Sequence, residues 1–92
     1  MLTRREKEII IQCAKRYNVI SVFLFGSSVG RKKANDIDLA VKGIKPELFF
    51  SFYGELFKQL PKPVDLVDLD EADNYFAKRV LEGSEVIYEA RI

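Results

Sequence analysis

An α/β domain, a small β-sheet flanked by helices, is predicted by three features of this 92-residue chain. Short apolar runs suited to strands alternate with longer stretches whose apolar residues recur at helical spacing. Residues that stop or start elements punctuate the boundaries: Asn18, Gly43, Pro46, Pro61, Pro63 and Gly83. An apolar fraction of 48% suffices for one core, and no repeat, linker or low-complexity stretch divides the chain. Residues 1–92 are therefore read as one domain.

Each element has its own justification. Thr3 and Glu6 have the spacing of a capping box, and Ile10, Cys13, Ala14 and Tyr17 share a face, which predicts a helix over Thr3–Tyr17. Val19–Phe25 is almost continuously apolar, as a strand buried on both faces requires. Ser27 is placed to cap a short helix leading into a loop that carries Arg31, Lys32 and Lys33. Asp36–Val41 reads as a second strand with Ile37, Leu39 and Val41 on one face. Pro46 opens a second long helix over Glu47–Leu60, ended by Pro61-Lys62-Pro63. Val64–Leu69 is a third strand. Asp70 is expected to cap a last helix, through about Glu82, with Phe76, Ala77, Val80 and Leu81 inward and Gly83 as its stop. Glu85–Tyr88 closes the sheet.

Composition removes several classes of chemistry. The chain has no histidine, so it has no Ser-His-Asp triad, no Cys-His pair and no His-ligated zinc. A general base must be a carboxylate, a lysine or a tyrosine, and a metal must be a hard one such as Mg²⁺ or Mn²⁺. The single cysteine, Cys13, has no disulfide partner within the chain and suits a core position. The net charge of +1 does not describe a basic nucleic-acid binder. No run approaches the ~20 apolar residues of a membrane span, and no signal-peptide pattern opens the chain, so a cytoplasmic protein is expected.

Phe23-Leu24-Phe25-Gly26-Ser27, followed after eight residues by Asp36-Ile37-Asp38, carries the functional information. Alternate strand residues point to one side, so Asp36 and Asp38 project together, and two such charges call for a cation between them. Gly26 lacks a Cβ and lets backbone approach a phosphate, and N–H groups at a helix start would bind it. Asp65 adds a third carboxylate, in Val64-Asp65-Leu66-Val67-Asp68, where Val64 and Leu66 face the core and Asp65 faces away. If that strand lies beside the Asp36/Asp38 strand, three carboxylates converge. Asp68 is the rival; it falls on the opposite face and reads as a strand-end or turn residue.

The Gly-Ser…Asp-x-Asp…Asp layout resembles the minimal nucleotidyltransferases of the DNA polymerase beta superfamily, and specifically the antitoxin halves of HEPN/MNT toxin–antitoxin pairs. The resemblance spans nearly the whole chain, to the closing Val86-Ile87-Tyr88-Glu89. It implies the nucleotidyltransferase fold with a mixed sheet. It implies that Gly26 and Ser27 hold the β and γ phosphates, that Asp36 and Asp38 ligate Mg²⁺, and that Asp65 is the third metal carboxylate beside the attacking hydroxyl. Independently of the resemblance, Arg31, Lys32 and Lys33 are placed to grip the triphosphate or an acidic partner. The implied reaction is transfer of AMP, or another nucleoside monophosphate, from the nucleoside triphosphate to a hydroxyl of a HEPN-family toxin. The connection of eight residues is shorter than is usual in the family. The alternative is a binding module that neutralises its partner by contact, or takes nucleotide as a regulatory ligand.

One helix carries a second message. Leu48, Phe49, Phe50, Phe52, Tyr53, Leu56, Phe57 and Leu60 cover an arc of roughly 200°, wider than the ~100° stripe a surface helix needs. Either the face is one broad core surface with Phe50 and Phe57 at its margin, or these two meet a partner or a second copy of the chain.

Overall fold

In a computed structural model that describes residues 2–26 and 36–91, the first helix, α1 (Arg4–Arg16), begins at the predicted capping box. Glu6 N donates to Thr3 Oγ1 at 3.1 Å and Thr3 N donates to Glu6 Oε1 at 2.8 Å. Glu6 is buried and also meets Lys62 Nζ at 3.7 Å, which ties the start of α1 to the approach of the third strand. Asn18, with φ of 55°, turns the chain out of the helix in a left-handed conformation that asparagine tolerates.

Strands β1 (Ser21–Leu24), β2 (Ile37–Lys42), β3 (Val64–Asp68) and β4 (Glu85–Glu89) form one sheet in the order β3-β2-β1-β4. Strand β1 pairs antiparallel with β2 and β4, whereas β2 and β3 are parallel. The parallel pair is joined by a crossover holding α2 (Phe49–Gln59), as parallel neighbours require. Pro46–Leu48 forms a 3₁₀ turn ahead of α2, so that helix starts two residues after the predicted Glu47.

Alternation sorts the strand residues into two layers. Val22, Leu24, Ile37, Leu39, Val41, Val64 and Leu66 pack with Ile10, Cys13 and Ala14 of α1 and Phe52 and Leu56 of α2 in the main core. Ala40 belongs to a smaller cluster on the other face with Leu69, Val80 and the half-buried Phe23, Phe25 and Ala77. Asp38 and Asp65 lie on that second face, because their neighbours Ile37, Leu39, Val64 and Leu66 all point into the main core.

The last helix, α3 (Asn74–Glu82), departs from expectation. Its cap is Asp73, whose Oδ1 accepts from Phe76 N at 2.8 Å, not Asp70. Asp70 instead accepts at Oδ2 from Gly43 N at 2.7 Å, joining the ends of β2 and β3. The inward face is also narrower than predicted: Val80 is buried and Ala77 half-buried, but Phe76 and Leu81 remain 42% and 43% exposed. Gly83 ends the helix and β4 closes the sheet as expected. The predicted cap at Ser27 and the cluster Arg31-Lys32-Lys33 lie outside the described residues.

Candidate functional site

The site is built from the ends of three neighbouring strands. Strand β1 runs out through Phe25, whose N–H donates to the Asp38 carbonyl at 2.9 Å. Gly26 follows with φ of +69°, a left-handed backbone that strains any residue with a Cβ. A Cβ there would stand 2.8 Å from Asp38 Oδ2. The Asp38 carboxylate therefore packs against the Gly26 backbone in the space that a side chain there would need.

The register of β2 and β3 brings in the next carboxylate. Asp38 is the direct partner of Asp65, flanked by the pairs Ile37–Val64 and Leu39–Leu66. Paired residues of parallel strands point to the same side, and neighbouring strands lie ~4.8 Å apart. The two aspartates thus stand side by side on the face away from α1 and α2. Asp36 precedes β2 and is exposed. Among the described residues, no group of three carboxylate or thiol side chains is closed tightly enough to hold a metal ion as it stands. Ser27 and Arg31, the other predicted nucleotide-binding residues, lie outside the described residues.

Asp68 behaves as a turn residue. Its Oδ1 accepts from Asp70 N at 3.0 Å, and its carbonyl accepts from Glu71 N and Ala72 N at the bend after β3. Tyr53 of α2 was not among the predicted site residues. Its hydroxyl donates to the Val64 carbonyl at 2.8 Å and lies 3.5 Å from Asp65 Oδ1, so it steadies the backbone that carries Asp65. A tyrosine on an otherwise hydrocarbon helix face was the available signal, since a half-buried hydroxyl seeks a partner.

A cleft of about 360 Å³ opens beside Gly26, lined by Phe25, Gly26, Phe76, Arg79, Val80 and Gly83. The candidate site therefore joins a left-handed glycine turn, a pair of carboxylates on parallel strands and an adjoining cleft. The sequence profile described as polymerase beta, nucleotidyltransferase matches residues 7–91, nearly the whole chain.

The chain belongs to the polymerase beta nucleotidyltransferase family.

Solved structures of similar fold agree with this membership. A toxin–antitoxin complex crystallised with AMP-PNP contains a chain 26% identical to this one, with a TM-score of 0.75 over 92% of this chain and 74% of that one. A tri-AMPylated HEPN toxin of Shewanella oneidensis in complex with its MNT antitoxin contains a chain 22% identical, with a TM-score of 0.76 over 97% of this chain and 74% of that one. An MntA–HepT toxin–antitoxin complex gives 22% identity and a TM-score of 0.74 over 96% and 74%. No curated protein matches the sequence. This nucleotidyltransferase domain is thus similar to the antitoxins of toxin–antitoxin pairs. No helix among its described residues is long and apolar enough to cross a membrane.

Proposed function

We infer that the chain is a metal-dependent nucleotidyltransferase that moves AMP, or another nucleoside monophosphate, onto a hydroxyl of a HEPN-family toxin. The carrying observation is the packing of the Asp38 carboxylate against the Gly26 backbone, with Asp65 in register beside Asp38. That arrangement sets a turn that only glycine makes without strain against carboxylates, in a chain with no histidine. The donor set suits a hard cation, because every candidate donor is a carboxylate oxygen. Asp36, Asp38 and Asp65 would hold Mg²⁺ or Mn²⁺, which on binding neutralises phosphate charge and polarises the reacting oxygens.

The protein's own groups do the rest. The Gly26 backbone binds the β and γ phosphates with Ser27, and Arg31 adds charge to the triphosphate grip. Asp65 takes the proton from the acceptor hydroxyl at a carboxylate oxygen. The hydroxyl oxygen then forms a bond to the α-phosphorus, the bond to the β-phosphate oxygen breaks, and pyrophosphate leaves. Tyr53 keeps Asp65 in place through the Val64 carbonyl. Most of the acceleration comes from positioning and charge compensation. The reaction would take place in the cytoplasm, where nucleoside triphosphates are supplied.

The test incubates the protein with labelled ATP, Mg²⁺ and a HEPN partner, and measures label on the partner and release of pyrophosphate. Asp65→Asn should bind ATP and lose transfer by about 10²-fold or more, in line with loss of a positioned base. Asp68→Asn should retain most of the activity. Full activity in Asp65→Asn with loss in Asp68→Asn would reverse the assignment.

A second reading has its own observation. The three aspartates are not closed into a metal-ready set among the described residues, and Phe50 and Phe57 are 81% and 62% exposed. A module that neutralises its partner by contact would bind the HEPN protein tightly and transfer nothing under any divalent metal.

A further inference from the structure

The cleft beside Gly26 has no part in the steps described above. At about 360 Å³ it falls within the range of small-molecule sites, which are walled by apolar and aromatic side chains with few polar groups. Its walls come from separate elements: Phe25 and Gly26 just after β1, Phe76, Arg79 and Val80 within α3, and Gly83 at the end of that helix. Gly26 also belongs to the carboxylate face, where the space for a Cβ ends at Asp38 Oδ2. A molecule seated in the cleft is therefore continuous with one held at the Gly26 turn.

The lining selects the chemistry of that molecule. Phosphate seeks several donors, and among its described lining residues the cleft offers one cation, beside the apolar Phe25, Phe76 and Val80. Arg79 lies one turn after Phe76, on the same side of α3. Its guanidinium has no carboxylate partner among the described residues; it is held by Tyr75, 3.3 Å from the hydroxyl and 5.9 Å from the ring centroid. A guanidinium donates and never accepts. An exposed aromatic ring and a donor-only group, placed next to a phosphate turn, match a flat heterocycle that carries acceptor atoms and is linked to phosphates.

We propose that this cleft is the nucleoside subsite, in which Phe76 provides a stacking face for the base and Arg79 donates to its acceptor atoms. The proposal rests on the nucleotidyltransferase reading and deepens it by naming the residues that hold the base end of the substrate. Stacking on a ring tolerates any base, so Phe76 sets affinity. A donor-only contact distinguishes bases by where their acceptors lie, so Arg79 sets preference.

The experiment titrates the full chain calorimetrically, in Mg²⁺, with ATP, GTP, CTP, UTP and inorganic tripolyphosphate. Wild type should bind at least one nucleoside triphosphate more tightly than tripolyphosphate. Phe76→Ala should weaken all four nucleotides by roughly five- to a hundredfold and leave tripolyphosphate unchanged. Arg79→Met keeps the side-chain stem and should narrow the spread among the four bases. Circular dichroism checks the fold, and Phe76→Leu, which keeps apolar bulk without the π face, replaces Phe76→Ala if that variant unfolds. Unchanged nucleotide affinity in both variants, with wild type binding nucleotide, overturns the subsite alone. Equal loss of nucleotide and tripolyphosphate in Phe76→Leu also overturns it, because the cleft would then serve the phosphates. Failure of wild type to bind either nucleotide or tripolyphosphate removes the underlying reading along with the subsite.

Discussion

Gly26 is the position where a single atom decides the most. Its φ of +69° and the 2.8 Å left to Asp38 Oδ2 are two separate objections to any side chain. Gly26→Val meets both and places a branched side chain where phosphate would approach. The expected outcome is loss of ATP binding beyond detection with the fold retained, since the turn lies at the surface. Ser27→Ala, which spares the backbone, should weaken binding only a few-fold. Calorimetric titration with ATP and Mg²⁺ measures both. Equal affinity in Gly26→Val and wild type would separate the glycine from the phosphate.

At the scale of elements, α2 has two working faces. Phe52 and Leu56 are fully buried against the sheet, while Phe50 and Phe57, seven residues apart and so on one side, stand in solvent. Both rings therefore stand outside the core, as a position at the margin of the apolar arc and a position facing a partner both require. Phe50 also lines an apolar hollow of about 270 Å³ with Pro46 and Phe49, and Asp68 and Glu71 complete its wall. The double variant Phe50→Asp and Phe57→Asp should shift stability by no more than about 0.5 kcal/mol, as exposed substitutions do. It should also weaken capture of a HEPN partner at least tenfold, read by thermal melting and by titration. A folded variant that binds at full strength would leave the exposed rings without a role.

The elements also show which sequence signals are reliable. The capping box of α1 was legible because Thr3 and Glu6 are three residues apart and need nothing else. The outward faces of Asp38 and Asp65 were legible because the neighbours of each are apolar, whereas the adjacency and register of their strands are set by the folded sheet. The start of α3 was not. Asp70 and Asp73 are equally good local caps, and the choice is made by the Gly43 N–H, which engages Asp70 from 27 residues away. Tyr53 and the Phe76–Arg79 cleft escaped for the same reason: their partners, Val64 and Gly26, become neighbours only in the folded sheet. Phe76 and Leu81 followed the periodicity of a buried face, but the cluster around Ala40 is too small to cover them.

For the whole molecule, the main core includes one ionisable thiol. Cys13 is buried on the inner side of α1, and that burial pushes its pKa above the ordinary 9.0; the Arg16 charge opposes the shift and Glu55 adds to it. The fold keeps the thiol protonated where the unfolded chain would ionise it. The resulting stability is complete below pH 9.0 and declines as pH rises through the raised value. Denaturant midpoints measured across this alkaline range should fall more steeply for wild type than for Cys13→Ala. Alkylation of native Cys13 at neutral pH should be slow and should accelerate in step with unfolding. Parallel pH profiles in the two proteins would mean that other groups control the alkaline limit.

Strand β3 lies at the margin of the sheet and is paired with β2 alone among the described strands, yet it carries half of the aspartate pair. A marginal strand can open locally while the rest of a protein stays folded. Each such opening would separate Asp65 from Asp38 and dismantle the candidate metal site without unfolding the main core. A cation bridging the two carboxylates would act as a staple on that strand. In native-state deuterium exchange, Mg²⁺ should slow uptake at Val64–Asp68 while leaving the opposite margin, Glu85–Glu89, almost unchanged. Equal slowing at both margins would assign the effect to general stabilisation. Selective slowing would make the edge of the sheet a gate, whose opening rate sets how long a metal stays bound.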